Sequence, residues 1–96
     1  MPRPCKRRIV EFTPNISYFK PVGVPMRDLD SISLTSEEVE AIRLNDYLGL
    51  TQSEASKKMG ISQPTFNRII SSARKKISDA LINGKAIEII INENKE

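Results

Sequence analysis

Three side chains that can read nucleic-acid bases lie close together in the chain, at Gln63, Asn67 and Arg68. Amide and guanidinium groups have the donor and acceptor geometry that matches the major-groove edges of adenine and guanine. Neighbouring hydroxyls and cations are better suited to the oxygens of the phosphate backbone. To this second group we assign Thr51, Lys57, Lys58, Ser62, Thr65, Ser71, Arg74 and Lys75. The pattern predicts an interface for double-stranded DNA.

The stretch 52–71 would position these side chains as two short helices joined by a tight turn. A helix-turn-helix needs a small residue where the helices touch and a turn residue that tolerates positive φ. Ser56 and Gly60 are suited to these two positions. The residues predicted to lock the second helix in place are Met59, Ile61, Phe66 and Ile69. This arrangement would present the start of the second helix to the major groove.

Capping signals mark the ends of the predicted helices. Thr51 and Glu54 have the spacing of a capping box, and so do Thr35 and Glu38 at the start of an earlier helix. Ser62 can cap the third helix, which we expect to run to about Ile82 before Asn83-Gly84 ends it. The sequence therefore predicts three helices, of which the third is the longest.

The third helix carries an apolar stripe at helical spacing. Its members are Phe66, Ile69, Ile70, Ala73, Ile77, Ala80 and Leu81. This stripe is longer than the contact between the two helices of the motif requires, so its second half would pack on the first helix or on another subunit. The first helix has an apolar face that includes Leu44 and Leu48, and three acidic residues in its N-terminal part, Glu37, Glu38 and Glu40. Because no histidine accompanies them, we interpret these carboxylates as solvated capping groups rather than a catalytic or metal site.

Two β-prone segments lie near the ends of the chain. We predict that Arg8–Phe12 pairs antiparallel with Ala86–Ile91 as a small β ribbon over the helices. The segment Asn15–Pro25 is predicted to be an ordered loop, which Tyr18 and Phe19 would pin onto the helices. Stacking of these two rings on bases is the alternative. A helical turn is predicted at Met26–Ile32. The resulting fold class is mainly α: a three-helix helix-turn-helix domain over residues 9–92 with a small β ribbon from the N- and C-terminal strands.

The two terminal segments contain few residues that can form a core. Residues 1–8 carry only basic charges, including Arg3, Lys6 and Arg7, and would form a flexible arm that either contacts DNA or merely keeps the chain soluble. A disordered tail is predicted at 93–96. Three consecutive isoleucines at 89–91 would make both faces of the last strand apolar, which favours burial on both sides or a homodimer.

Composition excludes several classes of function. The formal net charge is +3, with no histidine and a single cysteine, Cys5. A zinc site, a disulfide framework and a histidine-based catalytic dyad are therefore not expected, and we predict neither a cofactor nor an enzyme. No apolar run is long enough to span a bilayer, and no signal peptide is recognisable, so we expect a cytoplasmic protein without a membrane partner.

Three segments resemble an uncharacterised family of small prokaryotic proteins that are predicted to bind DNA. They are MPRPCKRR, YFKPVGVPMRDL and the run from LTSEEVEAIRLNDYLGLTQ to ARKKISDALINGKAI, and the likeness covers residues 1–87. The family's helix-turn-helix is similar to region four of bacterial sigma factors. This resemblance implies DNA binding and transcriptional regulation. The chain departs from the family at Cys5, where a basic residue is usual, and at Ser56, where alanine is usual.

Other functions are compatible with the same pattern. Helix-turn-helix folds also dock protein partners, and the acidic first helix could bind the transcription machinery without direct DNA readout. Binding through several phosphates would weaken steeply with salt, whereas apolar docking would not. RNA binding is a lesser alternative, because no stacking platform is recognisable.

Overall fold

The computed structural model describes residues 18–90 of the chain. The elements in this part are β1 (Tyr18–Phe19), β2 (Ser31–Thr35), α1 (Ser36–Ala41), α2 (Gln52–Met59), α3 (Gln63–Asn83) and β3 (Ala86–Ile90). A 3₁₀ turn covers Met26–Asp28, and α1 continues without a break into a π-helical segment, Ile42–Tyr47. The predicted fold class, mainly helical with a long third helix and a small sheet, is confirmed.

Local capping determines where the helices begin and end. Both predicted capping boxes are present, since Thr35 and Thr51 each accept from the amide of the N3 glutamate, which hydrogen-bonds back to the threonine amide. Ser62 caps α3 by accepting from the Thr65 amide. At the other ends, Gly60 and Gly84 adopt left-handed φ values of 71° and 66°. That conformation is almost free of strain only in glycine.

The core lies between the segment 41–44, α2 and the first half of α3. Its buried members are Ala41, Leu44, Ala55, Met59, Phe66 and Ile70. Phe66 and Ile70 are one helical turn apart, so both point to the same side of α3, towards α2. The apolar face of α3 is therefore fixed against the protein, and its polar face is left to solvent.

The sheet has β3 at its centre, between β1 and β2. β3 pairs parallel with β2, from Ser31 opposite Ala86 to Thr35 opposite Ile90, and antiparallel with β1. The predicted partner of β3, Arg8–Phe12, lies outside the described residues. The prediction of a helical turn over Met26–Ile32 is correct only for Met26–Asp28, because Ile32 belongs to β2.

The prediction that Tyr18 and Phe19 pin a loop onto the helices is wrong. Tyr18 and Phe19 form β1 rather than a loop, and both are about half exposed, at 47% and 52%. The Tyr18 hydroxyl donates to Glu88 Oε2 over 3.3 Å, so the segment is attached to the sheet and not to the helices.

Burial on the first helix also differs from the prediction. Glu38 and Glu40 are buried, with 7% and 1% of their surface exposed, although they were predicted to be solvated. Glu40 pairs with Arg43 over 3.0 Å, and Glu38 contacts α3 as described below. Conversely, Leu48 and Leu81 were predicted to face the core but are 50% and 74% exposed.

Several predictions concern residues outside the described range. They include the arm 1–8 with Arg3, Lys6 and Arg7, the tail 93–96, and Ile91. Within residues 18–90, no helix is both long and apolar enough to cross a membrane.

Candidate nucleic-acid interface

The turn between α2 and α3 consists of residues 60–62. The Gly60 amide donates to the Lys57 carbonyl over 3.1 Å, and the Ile61 amide donates to the Ser56 carbonyl over 3.0 Å. These bonds satisfy carbonyls that the last turn of a helix leaves free, and they reverse the chain within three residues. α2 and α3 are therefore two helices joined by a tight turn, and whether they act as a DNA-binding helix-turn-helix stays a prediction.

Small and apolar residues fix the angle between the two helices. Ala55 and Ser56 are buried on α2, where a larger side chain would separate the helices. The Ser56 hydroxyl donates to the Ser53 carbonyl over 2.9 Å, so it is buried without losing its hydrogen bond. Phe66 has no exposed surface and anchors the first turns of α3. The orientation of α3 thus follows from the packing of its apolar side.

The three predicted base-reading residues, Gln63, Asn67 and Arg68, are all exposed on the first half of α3. The side chains of Gln63 and Arg68 form no hydrogen bond or ion pair with another residue of the described part. Their amide and guanidinium groups therefore have their donors and acceptors available. The base-reading role itself stays a prediction.

Hydroxyl groups surround the starts of both helices. Ser62 Oγ accepts from the Thr65 amide over 3.3 Å and donates to Thr65 Oγ1 over 2.9 Å. The Thr65 hydroxyl hydrogen is not used in this pair, nor is that of Thr51, whose oxygen accepts from the Glu54 amide over 3.1 Å. Each threonine thus keeps one O–H donor that a phosphate oxygen could accept.

Cations along α3 differ in how much of their charge is neutralised. Arg74 Nη2 lies 2.6 Å from Asp46 Oδ1 and 2.8 Å from Asn45 Oδ1, and this contact with Asp46 raises the pKa of Arg74 above its usual value. Lys76 Nζ lies 3.0 Å from Glu38 Oε1 and 2.9 Å from the Ser33 carbonyl. Lys75 and Ser71 are exposed. The predicted phosphate contact of Arg74 would therefore compete with its ion pair to Asp46.

The lysines of α2 are both exposed. Lys57 and Lys58 lie in its last turn. Helical spacing puts Lys57 on the side opposite the buried Ala55, Ser56 and Met59, and Lys58 beside that buried face. Both add positive charge to the exposed surface of α2.

One residue that the sequence analysis missed contacts the predicted base-reading group. Asn67 Nδ2 donates to Gln52 Oε1 over 3.2 Å, which joins α3 to the first residue of α2. The sequence signal for Gln52 is its place directly after the capping residue Thr51. Its contact with Asn67 could not be read from the sequence, because it depends on the packing angle between two helices.

The described part of the chain holds no group of three or more histidine, cysteine, aspartate or glutamate side chains that could bind a metal ion. The candidate site is thus composed of amides, hydroxyls and cations: Thr51, Gln52, Ser62, Gln63, Thr65, Asn67, Arg68, Ser71 and Lys75. Groups of these types bind bases and phosphates.

Comparisons with known proteins place the chain in a family. The family model described as "Protein of unknown function DUF134" matches residues 1–95. A UPF0251 protein of Thermoanaerobacter pseudethanolicus is 60% identical over 93% of this chain and 75% of its own length. A second, from Caldanaerobacter subterraneus, is 58% identical over the same shares of the two chains. No solved structure matches the chain.

A third relative, from Moorella thermoacetica, is 55% identical over 93% of this chain but only 60% of its own length. The matched region is thus nearly the whole of this sequence in each of the three comparisons. The chain therefore belongs to the prokaryotic family DUF134, whose members are also named UPF0251 proteins.

Proposed function

We propose that this protein binds double-stranded DNA in a sequence-specific manner and acts as a transcriptional regulator. The first half of α3 would lie in the major groove, as in the helix-turn-helix of sigma-factor region four. The observation that carries this proposal is the exposure of three polar side chains in the first turns of α3, whose backbone is held by buried neighbours. Gln63, Asn67 and Arg68 are exposed, whereas Phe66 and Ile70 are buried.

The positions of the charges support the same proposal. Arg68 and Lys75 lie on the outer face of α3 and are exposed, and the described acidic residues that contact α3 from α1 and its π-helical extension, Glu38 and Asp46, pair with other cations. DNA phosphates would therefore meet the charge of Arg68, which pairs with no acidic side chain of the described residues, and that of Lys75, which interacts with Asp79 on the same helix.

Binding-site selection from random duplex DNA, using the full chain, tests this function. We expect enrichment of a defined sequence and an affinity that falls steeply as salt rises. The change Arg68→Ala should cost about 1–3 kcal/mol of binding and weaken base preference, whereas Lys75→Ala should weaken binding to all sequences alike. Failure to enrich any sequence, with Arg68→Ala also without effect on affinity, would contradict the proposal.

A second candidate function is docking on a protein of the transcription machinery. It is favoured by Tyr47 and Leu48, which are 82% and 50% exposed at the end of the π-helical segment. Replacing both with serine would abolish such docking but leave DNA binding intact. Homodimerisation is a related proposal, and a palindromic selected site would support it, because two-fold protein symmetry is matched by two half-sites.

A further inference from the structure

A pair of side-chain amides bridges the two helices of the helix-turn-helix. Asn67 on α3 donates from Nδ2 to Oε1 of Gln52 on α2, over a distance of 3.2 Å. Both residues lie at the surface, with Asn67 exposed and Gln52 partly buried. We refer to Gln52 and Asn67 as the amide pair.

The backbone on each side of the amide pair is held in place. Gln52 follows Thr51, whose capping box with Glu54 fixes the start of α2. Asn67 follows Phe66, which is fully buried against α2. Because both Cα positions are fixed, the hydrogen bond between the two amides restricts the side-chain rotamers and the direction of each amide group.

The hydrogen bond also determines which donors and acceptors remain. One of the two Nδ2 hydrogens of Asn67 is used by Gln52, so Asn67 keeps one N–H donor and its carbonyl oxygen. Turning the Asn67 amide alone would bring its oxygen against Gln52 Oε1, two acceptors facing each other. The pairing therefore couples the orientations of the two amides, and in the observed orientation Asn67 has one donor and its carbonyl acceptor available.

One donor beside one acceptor matches adenine and not guanine. In the major groove adenine presents N7 as an acceptor and the N6 amino group as a donor. Guanine presents two acceptors, N7 and O6, and so requires two donors. A lone asparagine can turn its amide independently, but a paired one keeps its hydrogen bond only if the Gln52 amide turns with it.

We infer that the amide pair acts as one unit that reads an adenine in the bound DNA. Asn67 contacts the base, and Gln52 holds the Asn67 amide in the orientation that this contact requires. This inference rests on the proposed function and specifies the base at one position of the target. Gln52 is a positioning residue in this arrangement, since it acts on the base through Asn67.

The test begins with a duplex selected from random DNA by the full-length wild-type chain. Comparison with the sequences selected by Asn67→Ala identifies the base pair that Asn67 reads. That base is then replaced by guanine, cytosine, thymine and 7-deazaadenine, which lacks the N7 acceptor, and the affinities are measured. We expect the wild type to prefer adenine and to lose about tenfold with guanine or 7-deazaadenine.

The variant Gln52→Leu removes the acceptor of the pair but keeps a similar side-chain volume. We expect it to lose the adenine preference at that position, as Asn67→Ala does, and the double variant to lose no more discrimination than either single variant. Gln63→Ala serves as the matched comparison, because Gln63 forms no hydrogen bond with Gln52. In the double variant that combines Gln63→Ala with Gln52→Leu, the fold-changes in affinity of the two single variants should multiply. Circular dichroism of every variant checks that the helices are retained.

The outcomes separate this inference from the proposed function. If the wild type enriches a sequence but Gln52→Leu keeps the full adenine preference, the amide pair does not act as a unit and the inference is wrong. A guanine preference at the position read by Asn67 would overturn it as well. If the wild type enriches no sequence, the proposed function fails and the inference fails with it.

Discussion

The two halves of α3 carry similar polar and basic side chains but differ in what those side chains contact. In the first half, Gln63 and Arg68 are exposed and form no polar contact with other residues of the described range. In the second half, Arg74 pairs with Asp46 and Lys76 pairs with Glu38. The comparison shows that a basic residue on this helix is available to a ligand only where acidic residues of the preceding helical segments do not reach it.

The two capping boxes have the same local geometry, but their glutamates differ in whether they also contact α3. Glu38 is 7% exposed and, besides capping α1, accepts from Ser72 over 2.8 Å and from Lys76 over 3.0 Å. Glu54 is exposed, and within residues 18–90 its side chain hydrogen-bonds with Thr51 alone. The box at Thr35 therefore connects α1 to the second half of α3, whereas the box at Thr51 serves α2 alone.

The largest effect is expected from the buried side of the first half of α3. Phe66→Ala should lower the free energy of unfolding by about 3–5 kcal/mol, because it leaves a cavity between α2 and α3. Leu81→Ala is the matched control in the second half, where the side chain is 74% exposed, and should change stability by at most about 0.5 kcal/mol. Urea denaturation measures the free energy of unfolding of both variants. Equal losses would contradict the different burial of the two side chains.

A smaller effect is expected from the two capping glutamates. Glu38→Ala should cost about 2–3 kcal/mol of stability, since it removes a cap, leaves the Ser72 hydroxyl without its acceptor and leaves the Lys76 ammonium with the Ser33 carbonyl but without a carboxylate. Glu54→Ala should cost at most about 1 kcal/mol, because only the cap is lost. The measurement is again urea denaturation, and a larger loss for Glu54→Ala would contradict the role assigned to the box at Thr35.

Acid should weaken the link between α1 and α3. Burial raises the pKa of Glu38, but hydrogen bonds from the Thr35 amide, Ser72 and Lys76 outweigh it and hold the pKa below the usual 4.5. A lowered pKa in the folded state means that the stabilisation is present above pH 4.5 and is lost as the pH falls through the folded-state value. Glu38→Gln keeps a capping side chain without the charge. Its stability deficit relative to wild type, measured by urea denaturation between pH 7 and pH 3, should shrink on acidification; a constant deficit would contradict the prediction.

The smallest effect on stability is expected at Arg74. Its ion pair with Asp46 lies at the surface, with 49% and 40% of the two side chains exposed, so Arg74→Ala should cost about 0.2–1 kcal/mol. Arg68→Ala should leave stability unchanged but weaken DNA binding. Thermal denaturation and a binding titration of both variants compare the two halves directly, and equal losses of stability would show that Arg68 also has a structural partner.

Much of the helical part could be predicted because its signals are local. The capping boxes at Thr35 and Thr51, the cap at Ser62 and the left-handed Gly60 each involve residues at most four positions apart. The exposure of Arg68 followed from helical periodicity once Phe66 was assigned to the core. Gln63 and Asn67 lie seven and three positions before the buried Ile70, so their exposure did not follow from periodicity alone.

The sheet and the polar contacts of α3 could not be predicted in the same way. Ser31–Thr35 is a short segment with weak alternation, and it becomes a strand because the parallel edge of β3 supplies its hydrogen-bond partners. The contacts of Lys76 with Glu38 and of Arg74 with Asp46 join residues 38 and 28 positions apart. No sequence spacing indicates which distant acid a given cation meets.

By itself, the sequence determined the helix-turn-helix between Gln52 and Ser71 and the face of α3 that turns outward, since capping and periodicity act over one helical turn. Only the tertiary structure decided that β2 pairs with β3, that Glu38 is buried, and that Gln52 holds Asn67. These features depend on which distant surfaces meet when the helices pack. Which surfaces pack together depends on the free energy of the whole folded chain and not on any single segment of it.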